Sequence, residues 1–144
     1  MKSIFISMPC LLVLSATALG NIPNEKVLKA FNETFVKATD VVWHEMQNVY
    51  EANFKQSEIT TRAIYDVNGN LLRTTRYYSE ENLPINIISK LKKKFAGRSV
   101  FGVTESTTDD EVAYYITMQD EKNWYIVKAD NWGTLELTTK YRKA

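Results

Sequence analysis

The chain has 144 residues, 44% of them apolar, with 18 Lys+Arg against 17 Asp+Glu and a formal net charge of +1. So even a balance supplies no long-range field to gather nucleic acid or anionic lipid. One cysteine and one histidine exclude a disulfide framework, a thiolate metal site and a catalytic triad built on imidazole with companions.

The first element in chain order is an export signal over residues 1–20. Lys2 supplies the positive start, and Ile4 to Leu14 form an apolar run broken by Ser7, Pro9 and Cys10. Ala18-Leu19-Gly20 fits a small-x-small cleavage pattern, which makes Asn21 the first mature residue; cleavage after Ala18 is the alternative. The apolar run is shorter than the roughly 20 residues of a spanning helix, so no stable membrane insertion is expected after cleavage. Loss of Lys2 leaves 17 basic against 17 acidic residues and no cysteine. The expected product is a periplasmic or secreted domain over residues 21–144, held together by burial alone.

That domain is self-similar. Displaced by 64 residues and without a gap, Phe31 falls on Phe95, Val36 on Val100, Tyr50 on Tyr114, Asp66 on Asp130, Gly69 on Gly133 and Tyr77 on Tyr141. Two repeats, about 21–80 and 81–144, are therefore expected. In the first, Val27, Ala30, Phe31 and Phe35 lie at helical spacing behind Asn24, a suitable N-cap. A first strand is expected over Val41–Gln47. Tyr50, Ala52 and Phe54 then alternate with Glu51, Asn53 and Lys55 as in a half-buried strand. Thr61–Asp66 and Leu71–Tyr77 flank Asn68-Gly69, read as a hairpin turn because both residues tolerate positive φ. In the second repeat Pro84 opens a helix striped by Ile87, Ile88, Leu91 and Phe95, and Gly97 can end it. Strands are expected over Val100–Thr104, around Tyr114, Ile116 and Met118, and over Asn123–Ala129 and Leu135–Tyr141. The fold class is α+β: two tandem units of one helix and four antiparallel strands, with the helices on one face of the sheet.

In this order, Val41-Val42-Trp43, Tyr50-Glu51-Ala52-Asn53-Phe54, Tyr65-Asp66-Val67-Asn68-Gly69-Asn70-Leu71, Leu83-Pro84, Tyr114–Met118 and Gly133-Thr134-Leu135 resemble the PepSY-like, β-lactamase-inhibitor-like family of exported proteins typical of Bacteroidetes. The resemblance covers nearly the whole expected mature chain. It departs at Asn131-Trp132-Gly133, where the family repeats a plain Asp-x-Asn/Asp-Gly turn. The resemblance implies one curved sheet with helices on its convex side, and it carries over no catalytic residue. Fold relatives include a secreted inhibitor that grips a β-lactamase with the concave face of its sheet, and PepSY domains are linked to protease propeptides.

The remaining polar groups are weak candidates for chemistry. His44 lacks a second ligand or a nucleophile nearby in sequence. Asp66-Val67-Asn68-Gly69 resembles the start of a calcium loop, but Tyr77 occupies the position of the required bidentate Glu. Asp109-Asp110-Glu111 reads as a solvated loop, and Lys90, Lys92, Lys93 and Lys94 as the wet side of a helix, with a polybasic patch as the alternative. No metal, cofactor or catalytic residue is expected.

The aromatic alternation says more. If Tyr50, Ala52, Phe54, Tyr114, Ile116 and Met118 face the helices, Ala63, Tyr65, Val127 and Ala129 join them. The opposite face then carries Arg62, Ile64, Tyr78, Tyr115, Trp124, Ile126 and Lys128, with Glu51, Arg76 and Thr138 nearby. Trp, Tyr and Arg dominate binding hot spots, and an exposed apolar patch marks a partner surface. The expectation is a non-catalytic module that recognises a protein or peptide, with Trp124 and Tyr115 as anchors and Arg62, Arg76 and Lys128 at the rim. A second copy of the chain covering this face, and a small-molecule or ion-binding role, are the alternatives.

Overall fold

The computed structural model describes residues 21–144. The expected export signal, Cys10 included, lies outside the described residues. Helix α1 (Glu25–Thr34) starts where expected, with the Asn24 side chain accepting the Val27 N–H at 3.1 Å. Val27 and Phe31, one turn apart, are its buried residues. Helix α2 (Ile85–Lys94) begins at Pro84 with no side-chain cap and buries Ile87 and Leu91 at the same spacing. Each helix closes on a phenylalanine: the N–H groups of Phe35 and Phe95 donate to the carbonyls of Phe31 and Leu91.

The strands are β1 (Thr39–Met46), β2 (Val49–Gln56), β3 (Ile59–Asp66), β4 (Leu71–Tyr78), β5 (Ser99–Thr107), β6 (Val112–Gln119), β7 (Asn123–Asp130) and β8 (Leu135–Arg142). They form one eight-stranded sheet in sequential order, every neighbouring pair antiparallel. Strand β4 pairs with β5, so the sheet is continuous from the first half of the chain to the second. Strands β1 and β8 remain edges, and the sheet is open.

Both helices lie on the same face. The cross-strand row Phe54–Thr61–Arg76–Glu105–Tyr114–Ala129 runs over β2 to β7 in register. Its left end belongs to a cluster of Val27, Phe31, Ala52, Phe54, Ala63 and Tyr65 under α1. Its right end belongs to a larger cluster under α2 that includes Ile87, Leu91, Ile116, Met118 and Val127. The α+β expectation and the inward placing of Ala63, Tyr65, Val127 and Ala129 agree with this core.

The gapless displacement of 64 does not hold along the whole chain. Strands β3 and β7 begin 64 residues apart, but α1 and α2, and likewise β1 and β5, begin 60 apart. The discrepancy is taken up between β5 and β6: six residues, 107–112, separate the paired Ser106 and Ala113, where two, Gln47 and Asn48, separate the paired Met46 and Val49. Four residues is about one helical turn, so a slipped alignment still lays apolar stripe on apolar stripe and conceals the insertion.

The turns also differ from expectation. Positive φ at consecutive residues occurs at Gln47-Asn48 and Ser57-Glu58, which make the two-residue hairpins. At Asn68-Gly69 only Gly69 is left-handed, at φ 87°. That turn is organised by Asp66, whose carboxylate accepts the N–H groups of Asn68 and Asn70 at 2.8 and 2.9 Å. A Cβ on Gly69 would lie 2.8 Å from the Lys26 carbonyl oxygen of α1, so the turn requires glycine for close approach as well as for φ. Asp130 repeats the arrangement on the N–H groups of Trp132 and Thr134.

Candidate functional site

The sheet face away from the helices is uncovered in the described chain, and its side chains follow from register. In the first half Glu51, Asn53 and Arg62 form a closed polar network. Asn53 Nδ2 donates to Glu51 at 2.8 Å, and Arg62 Nε reaches Asn53 Oδ1 at 3.2 Å and Glu51 at 3.4 Å. Ile64 stands beside them, opposite Glu51 on one side and Arg73 on the other.

From β4 onward the same face is aromatic. The row Tyr77–Thr104–Tyr115–Lys128 crosses from β4 to β7, and Trp124 pairs with Tyr141 of β8. A bulge in β5 pairs Val100 with Met118 and Gly102 with Thr117, leaving Phe101 as the extra residue. Its ring meets Trp124 edge-on at 5.0 Å between centroids and is 65% exposed. Lys143 Nζ lies 4.7 Å from the Trp124 ring, so Trp124 itself is half-buried and Phe101 is the more accessible ring.

Of the expected site residues, Arg62, Ile64, Tyr115, Trp124, Ile126 and Lys128 share this open face. Arg76 and Tyr78 do not. Tyr65 pairs with Leu71 but Ile64 pairs with Arg73, so Leu72 is an extra residue in β4. One added residue reverses every side chain beyond it. Arg76 and Tyr78 consequently face the helix side, and Arg73 and Tyr77 take the open-face positions. Glycine inside a strand signals a bulge, as Gly102 does beside Phe101. No comparable signal marks Leu72.

Arg76 and Tyr78 lie instead at the seam between the helices. Arg76 Nη1 contacts both oxygens of Glu105 at 3.2 and 3.3 Å, and the Tyr78 hydroxyl donates to Glu105 Oε2. Burial, then the hydrogen bond to Glu105, pushes the Tyr78 phenol well above its ordinary pKa. Beside this network is a cavity of about 360 Å³ lined by Phe35, Gln56, Ile59, Thr61, Thr74 and Arg76 among others.

The remaining candidates are accounted for by local structure. His44 is exposed on edge strand β1 opposite Glu51. Lys90 and Lys94 donate to the carbonyls of Trp132 and Leu135, and Lys92 pairs with Glu80 at 3.2 Å, so three of the four α2 lysines hold the chain's own groups. Trp132 is 77% exposed on the β7–β8 turn. Among the described residues no group of three or more His, Cys, Asp or Glu could hold a metal, and no helix is long and apolar enough to cross a membrane.

This is the architecture of a two-layer module with one free sheet face, and solved structures share it. A BLIP-like protein of Bacteroides fragilis superposes with a TM-score of 0.67 at 17% identity, over 85% of this chain and 86% of that one. A DUF2874-family protein of Bacteroides ovatus gives 0.67 at 20% identity, over 85% and 89%. A provisionally periplasmic protein of Bacteroides eggerthii gives 0.64 at 14% identity, over 84% and 89%. No family model and no curated protein matches the sequence. At these identities the likeness establishes the fold.

Proposed function

We propose that this chain is an exported, non-catalytic module that captures a protein or peptide on the open face of its sheet. The two halves are read as copies of one unit, in keeping with the PepSY-like, β-lactamase-inhibitor-like resemblance, and residues 1–20 as the signal that delivers it to the periplasm or beyond. The observation that carries the reading is the aromatic group Tyr77, Phe101, Tyr115, Trp124 and Tyr141 on a face that neither helix covers. Large rings in reach of solvent contribute little to the fold and much to an interface. The BLIP-like and provisionally periplasmic neighbours are in keeping with this role and this compartment.

A photo-reactive phenylalanine at position 101, expressed in the native envelope, tests the reading. The expected result is a discrete cross-link to another protein that is absent when the probe replaces Lys29 on the outer side of α1. Equal cross-linking from both positions, or none from position 101, defeats it.

A second reading, a small-molecule carrier, is favoured by the seam cavity of about 360 Å³, which falls within the roughly 300–1,000 Å³ range of ligand pockets. A compound that raises the melting temperature of the protein but not of an Arg76→Ala variant would support it.

A further inference from the structure

We infer that the open face contains a carboxylate-accepting subsite between Arg73 and Lys128, which takes an Asp or Glu side chain from an acidic segment of the protein partner; the inference rests on the open-face reading above. The subsite is built by register. Thr75, Ser106 and Ala113 pair in one row across β4, β5 and β6, and all three are small. Taller side chains rise on both sides: Arg73 two residues along β4, and Tyr115 and Lys128 in the adjoining row. The resulting pocket of about 190 Å³ is lined by Arg73, Ser106, Thr108, Glu111, Ala113, Tyr115 and Lys128.

Charge decides what enters. Arg62 and Arg76 are each paired with a glutamate, at 3.4 and 3.2 Å. Arg73, between them in sequence, has no ion pair or side-chain hydrogen bond among the described residues and is exposed. Lys128 is 3.9 Å from Glu111, whose side chain is 64% exposed, a separation too long for a direct hydrogen bond. The lining of the pocket thus sets two cations against one loosely held carboxylate, while Asp109 lines a smaller hollow with Arg73 and makes no ion pair with it. That surplus suits a single negative charge, while Glu111 opposes a dianion such as phosphate. An arginine fork with free donors suits a carboxylate, and the hydroxyls of Ser106 and Tyr115 add further donors. Volume decides the rest. About 190 Å³ is below the roughly 300 Å³ at which small-molecule pockets begin, but it admits one side chain.

The test is an amide-resolved NMR titration of the protein with blocked Ala-X-Ala tripeptides, X being Glu, Gln, Lys or phosphoserine. Glu is expected to give saturable shifts at Arg73, Ser106, Ala113 and Lys128, at least tenfold tighter than Gln. Adding salt should weaken them. Arg73→Gln and Lys128→Gln should each remove that preference while thermal melting stays put, and Lys29→Gln should preserve it. Equal response to Gln, tighter binding of phosphoserine, shifts elsewhere on the fold, or a preference that survives Arg73→Gln each overturn the inference. If these fail while position 101 still cross-links, only the subsite is wrong; if position 101 is also silent, the open-face reading falls with it.

Discussion

The two halves repeat one order of elements but resolve their surfaces oppositely. Under α1 the core is aromatic, with Phe31 in ring contact with Phe35, Trp43, Phe54 and Tyr65 over Ala52 and Ala63. Under α2 it is mainly aliphatic and more extensive, with Ile87, Leu91, Ile116, Met118 and Val127 all nearly sealed. The open face reverses this division. On β2 and β3 the first half closes its polar groups among Glu51, Asn53 and Arg62, leaving Arg73 and Tyr77 of β4 exposed, whereas the second leaves Phe101, Tyr115 and Tyr141 to solvent. A half whose inner needs are met by aliphatic packing can present its rings outward. The half with the more extensive aliphatic core is therefore the one that exposes most of its rings.

The largest effect should come from breaking either core. Phe31→Ala removes four ring contacts at once and should cost about 3–5 kcal/mol, against about 2–5 kcal/mol for Leu91→Ala. Because β4 and β5 join the halves in one sheet, urea melts of both variants should stay single transitions. A biphasic melt for Phe31→Ala would show that the halves fold independently.

Next in size is the seam. Arg76→Ala leaves Glu105, whose side chain is 13% exposed, without its cation but still holding the Tyr78 hydroxyl. The Arg76 side chain is 40% exposed, so water recovers much of the loss, and about 1–2 kcal/mol is expected in urea melts. The two tyrosines refine the contrast. Burial pushes the Tyr65 phenol up to about 12 and, with Glu105, pushes Tyr78 higher still. A raised tyrosine pKa means the fold favours the neutral ring. Its contribution is therefore whole below the ordinary value of 10.0 and is lost as pH climbs from there toward the folded values. Stability should fall above about pH 10, and Tyr78→Phe should flatten that limb. At neutral pH, Tyr78→Phe should cost about 1 kcal/mol. Tyr65→Phe should be neutral or stabilising, since the buried Tyr65 hydroxyl has no hydrogen-bond partner.

The repeating order, the apolar stripes and the inward set Ala52, Ala63, Ile116 and Val127 were legible in the sequence because period two and period 3.6 are each imposed by burial. Six of eight expected face residues followed from the same alternation. Arg76 and Tyr78 were illegible because alternation carries no memory of an inserted residue: Leu72 sits in an unbroken run of strand formers, and only pairing with β3 shows it to be extra. Arg73 was hidden by the same shift. Phe101 adjoins a strand glycine, a readable cue. The four residues gained before β6 left no trace, since helical periodicity absorbed them.

A smaller gain is expected at the second hairpin. Ser57 and Glu58 hold φ of 50° and 64°, a conformation that suits Asn-Gly. Replacing the pair with Asn-Gly should stabilise the first half by about 0.5–1 kcal/mol, read as a shift in the urea midpoint with unchanged slope.

The smallest effect should come from Phe101→Ala, and its smallness makes it informative. Phe101 is 65% exposed and touches the fold through Trp124, so stability should change by less than about 0.5 kcal/mol. Uncovering Trp124 should red-shift the tryptophan emission without moving the melting temperature. A core role would produce the reverse, a lower melting temperature with little spectral change before unfolding. If the spectrum shifts and the melt does not, the second half carries a hydrophobic ring that folding does not require, on the face where Tyr115 and Lys128 also stand.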